Sequence, residues 1–175
     1  MSAFPPAFRA AQVVGLTGAA WLSGNIFVYS IGFTPSILQA LHENNIPPAT
    51  AAKLWQNAYA RGKAQNPPLA AATAAAFLYL AWSVREGTAL SLLAPQGSTV
   101  LYSAAAVLTV GIVPYTLAFM MGTNHELEAK AESKVGAELP AREVEPLLNR
   151  WEALNVIRGV FPLVAGVLGL VAALP

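Results

Sequence analysis

The chain has 175 residues, of which 55% are hydrophobic and 11% charged, with a mean hydropathy of +0.50. A soluble domain of this size carries about 25% charged residues, so the composition points to a membrane protein, and the length to a single domain over residues 1–175. The absence of cysteine excludes disulfides, thiolate catalysis and Cys-x-x-Cys redox chemistry. Two histidines and no aspartate supply a metal or haem site poorly, and a net charge of +1 gives no ground for a nucleic-acid partner.

Four hydrophobic segments approach the roughly 20 apolar residues that a bilayer crossing needs. The first is predicted over about 10–33, with no charge between Arg9 and His42. It is too long for the apolar region of a cleaved signal peptide and is expected to be retained. The stretch Pro47 to Lys63 follows, with Leu54, Trp55, Ala58 and Tyr59 forming an apolar stripe beside Lys53, Arg61 and Lys63. That pattern predicts a short interfacial helix. The second crossing, about 69–84, is alanine-rich and opens at Pro67-Pro68, a helix-start signal. The third, about 99–122, contains Pro114; the Glu/Lys/Ala-rich stretch after it extends the helix into water. The fourth covers about 151–174.

Only helices satisfy their own backbone within lipid, so the expected fold is an all-α, four-helix transmembrane bundle with that interfacial helix in its first long loop. Gly15, Gly18 and Gly24 in the first helix, and Gly159, Gly166 and Gly169 in the fourth, suit close helix approach. The side with both termini holds Arg9 and Arg85; the other holds Lys53, Arg61, Lys63, Lys130, Lys134, Arg142 and Arg150. The positive-inside rule then places the two long loops in the cytosol.

Polar residues concentrate at that end. Trp151, Asn155 and Arg158 stand at i, i+4 and i+7 on one face of the fourth helix. Thr123 to Glu126 (TNHE) close the third helix, and Asn25 and Tyr29 descend the first towards the same face. Trp55, Asn57 and Tyr59 come from the interfacial segment. A structural reading exists for each alone: Arg158 pairing with Glu152 or Glu126, the asparagines as interhelical glue, the tryptophans as belt residues. Their convergence points instead to an apolar, aromatic-walled pocket with a cation and a group titrating near neutrality. His125 as a general base, with Arg158 and Asn155 holding an oxygen that gains negative charge, would equip it to remove a proton next to a carbonyl.

The segments PYTLAFMMGTNHELE (Pro114 to Glu128) and RWEALNVIRGVFPLVAG (Arg150 to Gly166) resemble the fungal anthrone oxygenase family. The shared positions are Pro114, Thr116, Thr123, Asn124, Leu127, Trp151, Asn155 and Arg158, and the Trp55, Tyr59, Gly62 spacing is similar too. The resemblance implies a membrane oxygenase of aromatic polyketide pathways that turns an anthrone into an anthraquinone with O2 as co-substrate and no metal or flavin. On it, His125, Arg158 and Asn155 are the expected catalytic residues. Asn124, Trp151, Trp55, Tyr59, Asn25 and Tyr29 are the expected substrate-binding residues. The family pattern does not require a histidine after TN, which leaves Glu126, Glu152 or Tyr59 as alternative bases. The expected setting is the endoplasmic reticulum or a related endomembrane, with lipid around the protein and a homo-oligomer left open. The competing readings are a non-catalytic assembly partner, whose polar helix ends are interhelical contacts, and a haem or quinone protein using His42 and His125.

Overall fold

A computed structural model describes residues 4–132 and 139–174; Lys134, counted above for orientation, lies outside them. The described residues are helical and contain no strand. Helix α1 (Pro6–Val28), a π-helical turn (Tyr29–Phe33) and α2 (Thr34–His42) run on without a break. Helix α3 covers Pro48–Ser83, and a separate short 3-10 turn follows at Ala89–Leu92. Helix α4 (Ser98–Tyr115), a second π turn (Thr116–Met120) and α5 (Met121–Ala131) again form one run, and α6 covers Ala141–Ala173. Three helical runs among the described residues are long and apolar enough to cross a membrane: Pro6–His42, Ser98–Ala131 and Ala141–Ala173.

The predicted interfacial segment and second crossing differ from this. They are one helix, with Pro67 and Pro68 in its interior rather than at a start. Two prolines remove only the bonds to the carbonyls of Lys63 and Ala64, and the long helical stretches on either side keep the direction. The apolar part of α3 is short and bordered by Asn66, Pro67, Pro68 and Ser83, and α3 is not among the three spans.

The first π turn has a local cause. Pro35 has no N–H for the carbonyl of Ile31 and its ring crowds that carbonyl, which widens the helix over Tyr29–Phe33. Pro114 stands two residues before the second π turn. Helix α2 ends through Asn44, which takes the left-handed conformation at φ 56° that closes many helices.

The chain divides into two compact units. The first comprises Met1–Gly24, Asn66–Val113 and Gly159–Pro175. Its centre is Phe77 of α3, fully buried against Tyr102 of α4 at a ring separation of 6.4 Å. Glycine makes room for that ring on both flanks: a Cβ at Gly15 of α1 or Gly169 of α6 would lie 2.8 or 2.5 Å from it. Gly18 likewise admits Thr73, whereas Gly24 meets nothing within 4 Å. Ser23 donates to the Gly159 carbonyl at 3.1 Å and Ser98 to the Ala172 carbonyl at 3.1 Å. Valine and leucine side chains face outward, Val107 at 70% exposure, as a lipid-facing surface requires.

The second unit comprises Asn25–Gln65 and Pro114–Arg158. Ile37, Leu38 and Leu41 of α2, Trp55 of α3, Met120, Leu127 of α5, and Val144, Leu148 and Trp151 of α6 form its core. Surface contacts fasten its edge, the Lys130–Glu143 ion pair and the His42 imidazole against the Glu145 carboxylate, the latter at 2.8 Å. Both π turns and all the predicted site residues belong to this unit.

Candidate functional site

The site grows from α6. A helix turns 100° per residue, so Trp151, Asn155 and Arg158 share one face, and the first two are buried while Arg158 is half-buried. Each polar member is gripped by a π turn. The Asn155 amide donates to the Ile26 carbonyl at 2.9 Å and to Ser30 Oγ, in the first π turn, at 2.7 Å. Arg158 Nη1 donates to Thr116 Oγ1, in the second π turn, at 3.3 Å. Because π turns expose backbone and re-aim side chains, they recur at functional positions.

An aromatic wall stands on the other side of the same core. Trp55 is 1% exposed and stacks on Tyr59, one turn along α3, at 5.0 Å and 7°. Its ring meets Trp151 edge-on at 5.8 Å. Asn124 of α5, fully buried, donates from Nδ2 to the Tyr59 hydroxyl at 3.2 Å. That bond fills one lone pair of the phenol oxygen and leaves its proton to be donated elsewhere. The Tyr59 phenol is raised above its ordinary pKa, first by burial and then by the Glu128 carboxylate; the Arg158 cation and the Asn124 bond oppose this. It is therefore a neutral hydrogen-bond donor at neutral pH.

Several buried polar atoms have no hydrogen-bond partner among the described residues: the indole nitrogens of Trp55 and Trp151, Arg158 Nε, Oδ1 of Asn124 and of Asn155, and the hydroxyls of Thr34, Thr123 and Thr73. All but Thr73 belong to the second unit. Leaving a buried polar group unpaired costs about 1–3 kcal/mol each, so such a concentration marks a place built to meet polar groups of a bound molecule. The set offers three nitrogen donors, two amide oxygens and, from Tyr59, a phenolic proton.

The structure therefore brings together Trp55, Tyr59, Asn124 and Trp151 in one contacting chain, with Asn155 and Arg158 on the same face of α6 as Trp151. Tyr29 packs edge-on against Phe33 at 5.9 Å, and Asn25 is half-buried on α1. His125 and Glu126 are exposed on the face of α5 turned away from Asn124 and Leu127, and Glu152 is half-buried on α6. His42 is spent on Glu145 at the surface. Asn155 has both amide hydrogens engaged, so it presents an acceptor and not the donor expected for a developing oxyanion. Two residues were missed. Ser30 had no motif to announce it. Glu128 had a usable signal, since it stands four residues after Asn124 and so on the same side of α5.

Residues 55–168, which include Trp55, Tyr59, Asn124, Trp151, Asn155 and Arg158, match the anthrone oxygenase family. Anthrone oxygenase encC of Aspergillus fumigatus is 38% identical over 93% of this chain and 92% of its own length. An anthrone oxygenase of Claviceps purpurea is 31% identical over 90% of this chain and 85% of its own length. The noranthrone monooxygenase of Aspergillus flavus is 30% identical over 90% of this chain and 70% of its own length. No solved structure matches the chain. With its indole wall, its Asn124–Tyr59 bond and its arginine all inside the matched span, the chain belongs to the anthrone oxygenase family.

Proposed function

We propose that the protein is a membrane oxygenase that converts an anthrone to the corresponding anthraquinone with O2. Family membership supports the activity, and one observation supports its location: an aromatic wall, a half-buried phenol donor and an arginine with an unpaired Nε lie in the second unit. The flat tricyclic substrate stacks against Trp55 and Trp151, with its carbonyl oxygen accepting from Arg158 and its methylene towards Tyr59. Removing a methylene proton leaves an electron pair spread over the rings and onto that oxygen, where fixed donors stabilise it. One electron passes to O2, the two radicals join through a C–O bond, and the hydroperoxide loses water to leave the second carbonyl. One O2 is consumed and one water released, with the substrate's own electrons reducing the oxygen, so the steps call for neither metal nor flavin.

The base is not His125 in this reading, because an exposed imidazole exchanges protons with bulk water and not with a buried C–H bond. Asn155 holds the first π turn in place and accepts a hydrogen bond from a substrate hydroxyl. The second half of α3, about 69–84, supplies a fourth crossing, with both termini on one side and the long loops in the cytosol. An endomembrane setting suits a hydrophobic polyketide substrate.

The test is an aerobic incubation of purified, chelator-treated protein with an anthrone, followed by quinone absorbance. Acceleration well above spontaneous oxidation is expected. A rate equal to the spontaneous one sinks the reading.

A further inference from the structure

The site as described lacks an acceptor for the substrate proton. Neutral Tyr59 is in the group but holds its own proton, and His125 and Glu126 are exposed. Glu128 resolves this. It follows Asn124 by four residues, about one turn along α5, which carries it onto the flank of the helix that bonds Tyr59. It is half-buried, with one edge open to water. We propose that Glu128 is the proton acceptor of the reaction, working through Tyr59. This rests on the anthrone oxygenase reading.

The transfer balances without any further reactant. The methylene C–H bond breaks as its proton moves to the Tyr59 oxygen. The phenol's own proton moves to the Glu128 carboxylate in the same step, and the electron pair stays on the substrate, opposite Arg158. Glu128 then returns the proton to water at its open edge. Asn124 supports this order of events, because its amide occupies one lone pair of Tyr59 and fixes the direction of the hydroxyl. The stack on Trp55 fixes the ring. The Glu128 charge is felt at the Tyr59 hydroxyl, second only to burial, whereas Arg158 acts on it with the opposite sign; Lys63, on the same helix as Tyr59, lies 5.7 Å from its ring centre. Glu128 is thus a positioning and relay residue, and Tyr59 the group that touches substrate.

The relay is tested by separating proton removal from oxidation. Full-length protein in detergent is incubated without O2, in deuterium oxide, with unsubstituted anthrone, and deuterium uptake at the methylene is followed. Binding is measured apart from this, by quenching of tryptophan fluorescence with anthraquinone. Glu128→Gln and Tyr59→Phe are expected to lose about a hundredfold or more of the catalysed exchange while quenching titrates as in the unmodified protein. Glu128→Asp is expected to recover part of the loss. Wild-type exchange in Glu128→Gln overturns the relay, as does equal loss of exchange and of binding in all three variants. If the unmodified protein accelerates neither exchange nor quinone formation, the functional reading itself falls; if it makes quinone without accelerating exchange, only the relay falls.

Discussion

Asn155 reaches Ser30 across 125 residues of chain, its Nδ2 donating to the serine Oγ at 2.7 Å while the same amide caps the Ile26 carbonyl. The Ile26 carbonyl accepts only, so the amide group must face it. Asn155→Asp replaces that donor with an acceptor, and Asn155→Ala removes it. Both should destabilise the protein, by about 1–3 kcal/mol for alanine and more for aspartate, where two acceptors face each other. Thermal unfolding in detergent checks the order, and an aspartate variant as stable as the parent contradicts it.

Arg158 should separate chemistry from folding. It donates to the Thr116 hydroxyl, and its Nε has no partner among the described residues, so little structure depends on its charge. Arg158→Leu is expected to lower kcat by about 10²- to 10³-fold, the range for removal of an oxyanion donor, while the elution volume in detergent stays put. Unfolding of this variant would assign the arginine to helix pairing instead.

His125→Ala should retain activity close to that of the parent, because the imidazole is exposed on the far side of α5 from Asn124. A steady-state assay suffices, and a drop of a hundredfold would restore the histidine to the mechanism.

The packing around Phe77 predicts a coupled pair. Gly169→Ala brings a Cβ to 2.5 Å from the ring and should destabilise by about 1–3 kcal/mol through overpacking. Phe77→Leu alone leaves a cavity and also destabilises. Combined, the two should cost less than their sum, since the smaller side chain vacates the space the new methyl enters. Additive losses in Tm would mean that the ring and the glycine do not meet.

Much of this was legible in the sequence. The 3.6-residue period places Trp151, Asn155 and Arg158 on one face, and an arginine in an apolar helix asks for a partner. Of the four crossings that the apolar runs announce, three are helical runs long and apolar enough to span a membrane. Other features depend on distance along the chain. Ser30 matters only because residue 155 folds onto it, and nothing near Ser30 encodes that. The continuity of α3 through Pro67 and Pro68 is settled by the helical stretches on either side, where local rules read a boundary. His125 drew notice for its chemistry, but on a helix the neighbour of a buried asparagine is turned 100° away from it.

The π turn at Tyr29–Phe33 sets which face of α2 meets the core. Closing each hydrogen bond over five residues in place of four lets such a turn hold one residue more than an α-helical turn does. Removing that residue would restore an α-helix and rotate everything beyond it by about 100°. Ile37, Leu38 and Leu41 would swing off the core they now fill.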